Sequence, residues 1–188
     1  MNYHKRNRNM NDKDNRNKPT YCNPLPLPDY PRGRPCRTHP ELSDYRETAD
    51  PTVLYEDGVW YLYPSCGMAY VSRDFVNWEH VKIEPEDMGY APTVVHYKDK
   101  YYMAASGVSE LREADNPLGP FVPVGNFTDL SGNELRPGDP MLFADNDGRL
   151  YLYYGGGTPI YGAELDGDQP WRLITEPKAL LKYDPAHV

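Results

Sequence analysis

Cysteine is scarce in this chain, which has three, Cys22, Cys36 and Cys66. An odd count without ligand-like spacing supports neither a disulfide framework nor a zinc site, and each thiol reads as unpaired and structural. There is no apolar stretch near the roughly 18 residues needed to span a bilayer, and the N-terminus lacks the apolar core of a secretory leader. These absences argue against a membrane partner and lead to the expectation of a cytoplasmic protein. No amphipathic helical period is present either, which sets aside the helical fold classes. Positive charge is also in short supply: Lys and Arg number 20 against 28 Asp and Glu, a net of −8. Residues 1–20 hold six of the basic residues and two of the acidic ones, leaving 14 against 26, a net of −12, for the rest. A body this acidic repels phosphate backbones, which excludes nucleic acid as the main partner and leaves neutral ligands such as carbohydrates compatible.

What the chain does have is tyrosine, 17 residues of it, a side chain suited to half-buried sheet surfaces and to sugar-binding clefts alike. It also has a repeat. Asp50-Pro51-Thr52-Val53-Leu54-Tyr55, Ala91-Pro92-Thr93-Val94-Val95-His96-Tyr97 and Asp139-Pro140-Met141-Leu142-Phe143 each open a β-branched or aromatic run. Each run then meets a turn and a tyrosine-rich second strand: Val59-Trp60-Tyr61-Leu62-Tyr63, Lys100-Tyr101-Tyr102-Met103 and Leu150-Tyr151-Leu152-Tyr153. The spacing is 41 residues from Pro51 to Pro92 and 48 from Pro92 to Pro140. That period suits a four-stranded β-propeller blade and is too long for most helical or leucine-rich repeats. The fold class expected is all-β, a propeller with about three blades in this chain.

Residues 1–20, rich in Asn and charge, are expected to form a disordered tail. Residues 21–48, proline-rich from Pro24 to Pro40, read as an extended lead-in packed across the first blade. The partial propeller then fills 49–188, with blades near 49–88, 89–135 and 136–178. Blade one should carry strands near 51–56, 58–64, 68–73 and 78–83, with Glu56-Asp57-Gly58 as its first turn. Lys98-Asp99 and Asn116-Pro117-Leu118-Gly119-Pro120 are the turns of blade two. Asp145-Asn146-Asp147-Gly148 and Asp166-Gly167-Asp168 are those of blade three. The first of these faintly resembles a calcium loop, but its glycine comes too early and no glutamate stands at the twelfth position, so it reads as a hairpin turn. Trp78 and Trp171 sit late in blades one and three, where blade packing accounts for them without any ligand.

Blades surround a central channel, so equivalent positions of successive blades face one another across it. Asp50 and Asp139 are equivalent, Ala91 holds that place in blade two, and Tyr90 precedes it. Two carboxylates and one ring are therefore expected at one mouth of the channel. An Asp before Pro is also ordinary turn chemistry, since the residue before proline is held extended and Asp caps turns. Tyr90 could equally pack between blades. Arg136, three residues before Asp139, is a candidate for a substrate hydroxyl or an acid partner. His96 alternates with apolar residues and reads as a structural or solvent-facing histidine. Cys66 has no accompanying His and Asp of the cysteine-hydrolase type and reads as a buried thiol.

Ala49-Asp50-Pro51-Thr52-Val53, Tyr70-Val71-Ser72-Arg73-Asp74-Phe75-Val76-Asn77-Trp78, Tyr90-Ala91-Pro92 and Gly138-Asp139-Pro140 with Asp147-Gly148-Arg149-Leu150-Tyr151-Leu152 together resemble glycoside hydrolase family 43 over about residues 49–178. That resemblance implies a five-bladed propeller enzyme that cleaves β-xylosyl or α-L-arabinofuranosyl units with inversion. It implies an Asp general base at Asp50 and, at Asp139, an Asp that orients the acid and tunes its pKa. A sugar-facing ring is implied at Tyr90, where the family usually has Trp. No cofactor is implied, although the complete propeller leaves room for a calcium at the channel centre. The family's general acid lies in a fourth-blade Glu-Gly-Pro motif that this sequence lacks; Glu164 and Glu176 fall inside blade three without its context. The chain is thus expected to be the N-terminal part of a longer enzyme, with the remaining blades in the longer chain, and to be nearly inert by itself. The alternative is a non-catalytic propeller segment that binds carbohydrate or protein.

Overall fold

The computed structural model describes residues 24–28, 48–65, 67–85 and 88–187. The expected tail, most of the lead-in and all three cysteines lie outside the described residues. Three four-stranded antiparallel sheets follow one another along the chain. The first is β1 (Thr52–Glu56), β2 (Val59–Tyr63), β3 (Met68–Ser72) and β4 (Glu79–Lys82). The second is β5 (Tyr90–Tyr97), β6 (Lys100–Ser106), β7 (Glu110–Ala114) and β8 (Val122–Asn126). The third is β9 (Met141–Ala144), β10 (Leu150–Tyr154), β11 (Ile160–Leu165) and β12 (Lys178–Leu181). In each sheet the strands pair in chain order, which is the meander of a propeller blade. A single 3-10 turn at Pro185–His187 is the helical element among the described residues.

Local chemistry explains the meanders. β1 and β2 are built from β-branched and aromatic residues, and Glu56 pairs with Val59 across a two-residue loop. That loop, Asp57-Gly58, has φ of 49° and 77°, the two left-handed residues of a hairpin turn whose twist matches its strands. Asn116 builds a later turn in blade two, accepting the Leu118 amide at 3.0 Å and donating to the Gly119 carbonyl at 2.6 Å. In blade three the Gly148 amide donates to the Asp145 carbonyl at 3.0 Å, so Asp145–Gly148 is a hairpin turn.

The core lies between the blades. Tyr63, Ala69 and Ile83 of blade one meet Val94, Met103, Ala114 and Phe121 of blade two. Ala104, Leu111 and Phe127 of blade two meet Leu142, Leu150, Leu152 and Leu165 of blade three. Burying each such aliphatic or aromatic side chain contributes about 1.5–3 kcal/mol relative to exposure. Polar ties cross the same boundaries: Tyr63 donates its hydroxyl to the Pro117 carbonyl at 2.7 Å, and Tyr97 donates to the Gly148 carbonyl at 3.1 Å. His96 Nδ1 lies 3.0 Å from Glu56 Oε1 across blades one and two, with its ring stacked on Tyr101, a structural role.

A third cluster, Leu62, Met68, Tyr70 and Trp78, covers the other face of blade one, and Leu25 and Leu27 of the lead-in pack on it. β5 is flanked by β1 on one side and β9 on the other. The outer flanks differ: Val53 and Tyr55 of β1, and Met141 and Phe143 of β9, are exposed. The result is an arc of blades with blade two in the middle.

Candidate active site

Each inner strand begins in the same unusual way. Asp50, Ala91 and Asp139 all precede proline and all have positive φ, 49°, 45° and 42°. Proline disfavours helical conformations in its predecessor, so a pre-proline residue is normally extended. The left-handed conformation is uncommon for any residue with a Cβ and costs about 1–3 kcal/mol where the surroundings impose it. Simple turn capping by an extended Asp is therefore not what these residues do. The backbone reverses sharply there three times over, at equivalent positions.

The backbone on either side shows what imposes it. The Ser65 amide donates to the Ala49 carbonyl at 2.9 Å, Ser106 pairs with Tyr90, and the Gly155 amide donates to the Gly138 carbonyl at 2.7 Å. The residue before each reversal is thus tied to the end of the second strand of its own blade. A second set of bonds joins neighbouring blades. Ser65 Oγ accepts the Ala91 amide at 3.1 Å, and Ser106 Oγ accepts the Asp139 amide at 2.9 Å. These bonds chain together the starts of β1, β5 and β9, so Asp50, Ala91 and Asp139 share one end of the arc. Asp50 and Asp139 are both exposed there.

Asp139 is further held through its side chain, because Ser106 Oγ lies 3.0 Å from its Oδ1. The carbonyl of Pro137, two residues before it, accepts the Gly107 amide at 2.9 Å. Beside it runs Gly155-Gly156-Gly157; an added Cβ on Gly138 would meet the Gly156 nitrogen at 2.8 Å, and one on Gly156 would stand 3.9 Å from Asp139 Oδ2. Bare backbone is what allows this close approach. Tyr90, the first residue of β5, is half-buried beside Ala91 at the same end. Arg136 lies on the loop between β8 and β9, largely exposed, with its Nε 2.9 Å from Glu134 Oε1. Its guanidinium is paired with that neighbour. Among the described residues no three His, Cys, Asp or Glu side chains converge to hold a metal ion.

Ser65, Ser106 and the triple glycine were not singled out in the sequence. The signal was present in the register: Ser65 and Ser106 each stand 14 residues after the proline that opens their blade. Gly155 stands one residue further on, after the longer turn of blade three.

Comparison with known proteins gives the family. Residues 45–186 match Glycosyl hydrolases family 43. A beta-xylosidase of Xylanibacter ruminicola is 29% identical over 160 residues, covering 65% of this chain and 47% of the relative. A xylosidase/arabinosidase of Bacteroides ovatus is 29% identical over 153 residues, covering 62% of this chain and 45% of the relative. The chain thus spans about half the length of these curated relatives. Among solved structures, a thermostable family-43 glycoside hydrolase superposes with a TM-score of 0.58 at 24% identity, over 72% of this chain and 53% of that one. The endo-arabinase of Bacteroides thetaiotaomicron superposes with a TM-score of 0.56 at 23% identity, over 73% and 57%. Three meandering blades, their paired strand-opening carboxylates and a match running through all of them lead to one assignment: the chain belongs to glycosyl hydrolase family 43 and forms part of its β-propeller.

Proposed function

We propose that this chain contributes the base side of an inverting glycosidase acting on xylosyl or arabinofuranosyl units, a reading supported by the xylosidase and arabinosidase names of its curated relatives. The observation that carries the reading is the equivalence of Asp50 and Asp139, two carboxylates that open inner strands at one end of the arc in the same left-handed conformation. Inversion needs a carboxylate on one face of the sugar and an acid on the other, about 6.5–9.5 Å apart, with room for a water between base and anomeric carbon. In this reading Asp50 takes a proton from that water as its oxygen bonds to the anomeric carbon. The glycosidic bond breaks, and its electron pair leaves with an oxygen protonated by a glutamic acid outside these 188 residues. Asp139 lies near that acid; its negative charge disfavours ionisation of the glutamic acid and keeps it able to donate near neutral pH. Tyr90 offers the sugar an aromatic face at the same end. The 188 residues alone should turn over almost nothing, because the leaving oxygen has no proton donor.

The test is kinetic, on a chain extended to carry the remaining blades. It should hydrolyse aryl β-xylosides or α-L-arabinofuranosides with inversion. Asp50→Asn should remove most of the activity with folding intact, since an amide keeps the shape but cannot accept the proton. Asp139→Asn should lower the rate and also move the alkaline limb of the pH–rate profile, where the acid loses its proton. Full activity in the Asp50→Asn enzyme, or binding of xylo- or arabino-oligosaccharides without any turnover by the unaltered one, would refute the assigned roles.

A further inference from the structure

We infer that Ser106, on blade two, is the positioning residue for the Asp139 carboxylate of blade three. This rests on the reading of Asp139 given above. An amide N–H can only donate, so the 2.9 Å contact from the Asp139 nitrogen uses a lone pair of Ser106 Oγ. The hydroxyl proton then remains for Asp139 Oδ1 at 3.0 Å. One hydroxyl therefore closes a clasp on the main chain and the side chain of the same residue. It fixes the left-handed backbone at φ 42° together with the direction of the carboxylate, with Oδ2 on the side of Gly156.

Blade one provides an internal comparison. Ser65 stands at the equivalent place and accepts the Ala91 amide at 3.1 Å, but Ala91 has no carboxylate to receive its proton. The amide half of the clasp thus recurs as a means of joining blades. Among the described residues, Ser106 and Asp139 are where both halves join two blades; within blade one, Ser72 Oγ makes the same pair of contacts on Asp74, 3.3 Å from its nitrogen and 3.1 Å from its Oδ1. Position 155, equivalent to both serines within blade three, is glycine, so the backbone pairing at this place does not require a hydroxyl.

The experiment compares Ser106→Ala, Ser106→Thr and Ser65→Ala. In the 188-residue chain, the Hα–Hβ coupling constants of Asp139 should show one dominant χ1 rotamer in the unaltered protein. They should show rotamer averaging in Ser106→Ala, return to one rotamer in Ser106→Thr, which keeps the hydroxyl, and stay unchanged in Ser65→Ala. Amide spectra report whether each variant is folded; if Ser106→Ala is not, Ser106→Gly, the residue blade three uses at this place, takes over its role. In the extended enzyme, Ser106→Ala should lower kcat by on the order of ten- to a hundredfold with little change in KM, the loss expected when a reacting group is misplaced. Ser106→Thr should recover most of it. An unchanged Asp139 rotamer in Ser106→Ala, or equal averaging in Ser65→Ala, overturns the inference. An extended enzyme inactive on every glycoside would overturn the catalytic reading instead, while the coupling constants would still decide the place of Ser106.

Discussion

At the scale of single residues, Asp74, in the turn between β3 and β4, is a heavily bonded carboxylate. It accepts the Asn77 amide at 2.7 Å, the Val76 amide at 2.9 Å and the Asn77 side-chain amide at 2.6 Å. Those donors, the Asn77 amide foremost, hold its carboxyl well below the usual 3.8. Phe75 beside it has φ 62°, a rare conformation for an aromatic residue, and its ring packs edge-on against Trp60 and Trp78. Asp129, Asp147 and Asp166 are lowered in the same way, by Asn133, by Arg149 and by the Asp168 amide respectively. A carboxyl whose folded pKa is depressed stabilises the fold above its unfolded value and loses that contribution as pH falls through the folded one. Urea midpoints should therefore drop below about pH 4. Asp74→Ala should be less stable than the unaltered chain at pH 7, with the gap narrowing at about pH 3; a gap constant with pH would show that the turn draws nothing from the charge. The stretch from Tyr70 to Trp78 was legible as a family motif, but its work was not. The motif does not reveal that its Asp closes a turn.

At the scale of elements, β8 and the segment leading to β12 meet through one close contact. A Cβ on Gly125 would fall 2.4 Å from Trp171 Cδ2, so the indole occupies the place of a side chain. The chain pairs beside that contact: the Thr128 amide donates to the Trp171 carbonyl at 2.9 Å, and the Leu173 amide to the Thr128 carbonyl at 3.0 Å. Gly125→Ala should displace the ring and destabilise the fold by about 1–3 kcal/mol, read as a lower urea midpoint. Trp171→Phe in the same background should recover part of the loss, because the smaller ring leaves room. The strands themselves were readable from β-branched and aromatic runs set between glycine and aspartate turns. Asp57-Gly58 is a clear case. The cross-blade serines were less readable, because a hydroxyl at a strand end has no period and no motif. Its partner lies in the next sheet, 26 residues on for Ser65 and 33 for Ser106.

At the scale of the whole molecule, stability resides between sheets, so the middle blade should be the most durable. Native-state hydrogen exchange should find the slowest amides in β5 and β6, which have a neighbouring blade on each side, and the fastest strand in β12, whose four residues are all exposed. Equal protection in β12 and β6 would mean that the flank of blade three is covered in solution. The repeat and its equivalent positions made the arc legible from the sequence, since the period alone aligns Asp50, Ala91 and Asp139. The left-handed reversal at those residues was not legible, because local preference before proline runs the other way and only the tertiary bonds override it. Those bonds run in one direction: each serine holds the opening residue of the following blade. A blade is therefore the unit of architecture without being the unit of inheritance for the site. Recombination that exchanged blade three as a cassette would carry Asp139 away and leave its anchor behind. The segment that must travel intact straddles the boundary, from the end of β6 to the start of β9.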